Sequence, residues 1–253
     1  MTLRDARREV IILVQNRKGK GGEMKTIGML GGMSWESTAV YYTLINEGVR
    51  EKAGGLHSAK ICLYSVDFDE IETLQRAGDW DATADLLSGA AKKVEAAGAE
   101  FLLICTNTMH IIAPQIERVL SIPLLHIADA TAEALTAAGI GRVGLLGTRF
   151  TMEQEFYKGR LAERYNLDVI VPDEGEREIV HRVIYDELCL GRIIDASQEK
   201  YLAIIASLRS RGAEAIILGC TEIASLVQQH HTDVPLFDTT AIHASKAVEM
   251  ALD

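Results

Sequence analysis

Along the chain, short unbroken apolar runs alternate with longer stretches in which apolar positions recur every three or four residues. "KTIGMLGG", residues 25–32, is an apolar run ending in glycines, and "SWESTAVYYTLINEGVREK", 34–52, carries helical spacing. "AKICLYSVDF" (59–68) predicts a second strand and "DWDATADLLSGAAKKVEAAG" (79–98) a helix ending at Gly98. "EFLLICT" (100–106) and "SIPLLHIAD" (121–129) predict two further strands. Strands that are apolar throughout, with helices between them, predict an α/β fold in which a parallel sheet is covered by helices on both faces.

The pattern then restarts. "GRVGLLGT" (141–148) echoes "KTIGMLGG", "NLDVIVPD" (166–173) echoes "AKICLYSVDF", "GAEAIILGCT" (212–221) echoes "GAEFLLICT" (98–106), and "VPLFDTT" (234–240) echoes "IPLLHIA" (122–128). Four echoes in one order, each about 110 residues on, indicate an internal duplication. Two such units pack most simply as pseudo-symmetric domains. Ligands of parallel sheets bind beyond the carboxyl ends of the strands, where turns expose N–H groups. The turns "GGMS" (31–34), "TNTMH" (106–110), "GTRFT" (147–151) and "CTE" (220–222) are therefore expected to converge on one cleft between the units, suited to a small anion.

Composition narrows the class. A net charge of −10 argues against a nucleic-acid partner, and four prolines in 253 residues with 48% hydrophobic content describe a globular chain. The longest apolar run near the start, Val10–Val14, is far short of a membrane span, and no leader pattern accompanies it. The four cysteines lack CxxC or zinc spacing, so a reducing, cytoplasmic location and no metal site are expected. Residues 1–23, rich in Arg and Lys, differ from the acidic remainder and are expected to lie outside the fold.

The candidate chemistry lies in the turns. Gly28, Gly31 and Gly32 do not form a nucleotide fingerprint, and serve either tight turning or carboxylate binding. Ser34, Thr148 and Thr151 serve either as N-caps or as ligand contacts. Cys220 follows a strand and precedes the helical pattern "EIASLVQQ", where a helix N-terminus is expected to favour the thiolate. Its echo is Thr106. Cys105, one residue earlier, should face the other way as a buried small hydrophobe, as should Cys62 and Cys189. Glu153 and Glu222 suit first helical turns. His110, His126 and His243 lie near strand or turn ends and border the cleft or serve structure, while His230 and His231 are expected in solvent.

"IGMLGGMSWEST", "CTNTMH", "GTRFTMEQEFY" and "GCTEI" together resemble the cofactor-independent aspartate/glutamate racemases, over essentially all of residues 24–253. That resemblance implies two α/β domains, 24–121 plus 232–253 and 122–231, with one active site between them, no cofactor, and a homodimer. It implies a cysteine from each half: Cys220 matches the second, but Thr106 stands where the first is usual, as in a subgroup associated with L-aspartate and L-glutamate. Cys220 is thus expected to take the α-proton of an L-dicarboxylic amino acid, with Thr106 on the opposite face and slow turnover. Met33, Ser34, Asn107, Thr108, Thr148, Thr221 and Glu222 are expected to bind substrate, and Arg177 in "PDEGEREI" its distal carboxylate. A one-cysteine malonate-type decarboxylase and a catalytically weak amino-acid-binding protein are the alternatives.

Overall fold

The computed structural model describes residues 23–253; the expectation for 1–23 falls almost wholly outside them. The first unit opens with β1 (Ile27–Gly31), α1 (Trp35–Ala53), β2 (Ile61–Ser65), α2 (Phe68–Ala77), α3 (Trp80–Ala96) and β3 (Phe101–Ile104). A 3-10 turn (Thr108–Ile112) leads into α4 (Ala113–Val119) and α5 (Ile127–Ala137). The second unit runs through β4 (Arg142–Gly147), α6 (Arg149–Glu153), α7 (Glu155–Tyr165), β5 (Asp168–Ile170), α8 (Glu174–Asp186) and a 3-10 turn at Leu188–Leu190. It continues with α9 (Asp195–Ser210), β6 (Ala215–Gly219), α10 (Ile223–Leu226) and β7 (Leu236–Asp238), before α11 (Thr239–Leu252).

All strand pairs are parallel, in the orders β2-β1-β3 and β5-β4-β6-β7. A bridge from Leu102 to Leu124 adds residue 124 beside β3, so both sheets follow one plan. Ile27 pairs with Phe101 and Leu30 with Ile104, as Val143 pairs with Ala215 and Leu146 with Leu218. Counting on from those pairs, Thr106 and Cys220 occupy equivalent places beyond β3 and β6. The duplication seen in the sequence is therefore present in register.

Alternation along the strands builds the first unit's two-faced core. Ile27, Met29, Phe101, Leu103 and Cys105 pack on α1 and α11, whereas Leu30, Leu102 and Ile104 pack on α3 and α4. Cys105 is fully buried among these apolar side chains, which pushes its thiol pKa up, and it behaves as the expected small hydrophobe. A third cluster, from Ile127 to Leu236, forms the core of the second unit.

Hydrogen bonding places the crossings between units a few residues later than expected. Leu102 N–H donates to Pro123 O at 2.9 Å and Leu125 N–H to Leu102 O at 2.8 Å, which ties 122–125 to the first sheet rather than the second. β7, expected in the first unit, pairs with β6 of the second, and the chain returns only with α11. Sequence patterns locate strands but do not show which sheet edge a strand completes. No helix among the described residues is long and apolar enough to cross a membrane.

Candidate active site

Turns from both sheets meet at a cleft enclosing about 510 Å³ of empty space, its mouth included. Met33, Ser34, Thr106, Asn107, Thr108, Thr148, Cys220, Thr221 and Glu222 all line it, as their places beyond the strand ends required. Arg177 is not among the lining residues. Its Nε donates to Glu153 Oε1 at 2.9 Å and its Nη1 to Pro172 O at 2.8 Å, an intra-unit arrangement that corrects the expected carboxylate contact. Glu153 ends α6 rather than starting a helix. Among the described residues, no Lys or Arg lines the cleft.

The glycine turn is a packing device. Gly32 has φ +94° and its N–H donates to Thr38 Oγ1 at 2.8 Å, while a Cβ there would lie 2.2 Å from Val66 O. That N–H is spent within the turn, so the expected choice between turning and carboxylate binding falls to turning at this residue. Ser34 is the N-cap foreseen for it. Its Oγ caps α1 by accepting from Ser37 N–H at 3.2 Å, and donates to Glu222 Oε1 at 3.2 Å across the cleft.

Hydroxyl chains join the units. Ser37 Oγ donates to Cys105 O at 2.9 Å, so its 2.8 Å contact with Thr221 Oγ1 uses the threonine's proton. Thr221 accepts in turn from Thr240 at 3.0 Å. The Thr221 hydroxyl thus holds α1, α11 and the two turns together. Thr108 and Thr148 meet at 3.1 Å in a second joint.

Asn107, which lines the cleft, is 3% exposed. Thr239 Oγ1 gives its proton to Leu218 O at 2.9 Å, so it must accept from Asn107 at 3.0 Å, and the atom facing it is the amide nitrogen. The amide oxygen Oδ1 is then buried without a partner among the described residues. A buried acceptor left open costs about 1–3 kcal/mol and selects a ligand that brings a donor.

Cys220 departs from its expected electrostatics. α10 is only four residues long because Val227 turns extended, so little helix dipole reaches the thiol. Burial and the Glu222 carboxylate, which accepts from Sγ at 2.9 Å, instead push the thiol pKa well above its ordinary value. The resting group is a protonated thiol.

Several lining residues gave little signal in the sequence. Cys189, expected to be inert, lies in the 188–190 turn and faces the cleft, where burial, Glu222 and Glu36 push its thiol up to about 12. Gln75, on the buried face of α2, donates from Nε2 to the Tyr185 hydroxyl of α8 at 2.9 Å. Tyr185 therefore accepts from Gln75. Phe68 and Ile184 add apolar wall. His110, His126 and His243 are buried and are not among the residues that line the cleft.

The family model for Asp/Glu/hydantoin racemases matches residues 30–247. The chain belongs to that family, and it is a racemase. A crystal structure from Yersinia pestis, described as an inferred Asp/Glu racemase, is 56% identical, with a TM-score of 0.87 over 91% of this chain and all of that one. An aspartate racemase homologue from Pyrococcus horikoshii OT3 is 36% identical, with a TM-score of 0.80 over 91% and 100% of the two chains. The broad-specificity amino-acid racemase RacX of Bacillus subtilis strain 168 is 22% identical over 89% of this chain and 98% of its own.

Proposed function

We propose that this racemase inverts the α-carbon of aspartate or glutamate by moving protons between two faces, with Cys220 as base toward the L-enantiomer and Thr106 opposite. The observation that carries the reading is the open Oδ1 of Asn107, a residue that lines the same cleft as the hydrogen-bonded Cys220 and Glu222. An α-ammonium supplies the donors that Oδ1 lacks and a positive charge for Glu222. Neutralising that carboxylate removes one cause of the raised thiol pKa, so the substrate promotes release of the Cys220 proton to solvent and leaves a thiolate to act as base.

The thiolate then takes the α-proton, and the electron pair moves onto the α-carboxylate. Backbone N–H groups of the 106–108 turn and the Thr108 and Thr148 hydroxyls suit that developing charge. Thr106 delivers a proton to the other face while taking one from water, which spares it a free alkoxide; the D-to-L direction retraces these steps. A hydroxyl is a weaker acid and its conjugate a costlier base than a thiol, so slow turnover follows from the Thr106 position. At the far end, neutral Tyr185 and Gln75 donors, rather than a cation, meet the side-chain carboxylate.

The test is proton NMR of L- and D-Asp and L- and D-Glu in D2O, with chiral analysis. Exchange of the α-proton with inversion, abolished in Cys220→Ala, is expected. Activity surviving that substitution overturns the assignment. A malonate brings no ammonium for Asn107 and Glu222, so release of CO2 from malonates in place of exchange would favour the decarboxylase alternative.

A further inference from the structure

Behind the Thr106 turn lies His110, 1% exposed and held by two backbone groups. Ile127 N–H points at its Nε2 at 3.2 Å, so that nitrogen carries a lone pair. In a neutral ring the proton then sits on Nδ1, which donates to Thr106 O at 2.9 Å. Burial, with His126 and His243 close by at ring-centroid distances of 4.5 and 5.9 Å, keeps the imidazole neutral. The tautomer is thus fixed by the start of α5 and applied to the catalytic turn.

The Thr106–Asn107 peptide is planar, so its N–H points opposite to its carbonyl. With the carbonyl drawn back to His110, which does not line the cleft, the Asn107 N–H is directed toward the cleft that Thr106 and Asn107 do line. We infer that His110 is a positioning residue for racemisation: its Nδ1–H clamps the Thr106 carbonyl, aiming the Asn107 N–H at the substrate carboxylate and fixing the Thr106 side chain. Its role is greatest as charge builds on that carboxylate, so it acts on kcat more than on KM.

The inference rests on the proposed use of the Thr106–Asn107 turn. Two variants separate the clamp from simple packing. In His110→Asn the amide nitrogen stands where Nδ1 stood and can still donate to Thr106 O; in His110→Gln the amide reaches Ile127 instead. The Asn variant should keep kcat within about threefold, while the Gln variant should lose about tenfold or more with KM little changed. Equal kcat in the two, in an enzyme that Cys220→Ala does inactivate, overturns the clamp; activity that survives Cys220→Ala overturns the underlying reading instead. Should either variant fail to fold, ¹⁵N-histidine NMR of the wild-type protein decides. The Nδ1–H tautomer near neutral pH is expected, and an Nε2–H or imidazolium pattern refutes it.

Discussion

Cys220 and Glu222 set the residue-scale behaviour of the site. With the carboxylate 2.9 Å from Sγ, the free enzyme disfavours the ion that the proposed chemistry uses. Glu222→Gln removes a cause that raises the thiol pKa, so iodoacetamide should alkylate Cys220 faster at a given pH below that pKa. The same substitution should lower kcat/KM about tenfold or more, because the ammonium loses its counter-charge. Comparing alkylation and turnover checks both directions, and parallel changes would contradict substrate-assisted ionisation. Thr106→Val should retain α-proton exchange from the L-enantiomer in D2O while losing inversion. Cys220 and its Thr106 echo were legible because strand ends repeat in sequence. The thiol's protonation state was not, because it depends on a carboxylate whose direction is set by Ser34 from the other unit.

At the scale of elements, turn geometry carries the site and buried histidines carry part of the stability. Gly32→Ala places a methyl against the Val66 carbonyl at positive φ, and should cost on the order of 3 kcal/mol, read as a lower Tm. His110, His126 and His243 are lodged between the 3-10 turn, α5 and α11, with Tyr41 bonded to His243 and Arg160 and Arg164 near His126. Burial lowers all three pKa values, to about 2 for His126 and about 4 for His243. Unfolded imidazoles bind protons below about 6.5 while the folded ones remain neutral, so the unfolded state takes up more protons in that window. Stability should therefore be full above about pH 6.5 and fall progressively toward pH 4, which denaturant melts across that range will show. The lengths of most helices could be read from spacing, but α10 could not: "EIASLVQQ" keeps an apolar period although its helix stops at Leu226, whose carbonyl is taken by Gln198 of α9 at 2.5 Å.

For the whole molecule, function depends on how two similar halves are joined. Ser37→Ala would leave the Cys105 carbonyl and Thr221 short of partners at the centre of the joint, and should cost about 1–3 kcal/mol while raising KM. A melt combined with steady-state kinetics tests this, and unchanged values in both would remove the joint from the account. The duplicated apolar pattern determined the α/β class, the parallel strands and the equivalence of Thr106 with Cys220, because period and register are local properties of the chain. Tertiary structure alone decided that Arg177 turns to Glu153, that Cys189, Gln75 and Tyr185 enter the cleft, that residues 122–125 and β7 complete the sheets they do, and that Asn107 keeps an open acceptor. Each of these is a choice among partners distant in sequence, made by packing and by the requirement that buried polar groups find one another.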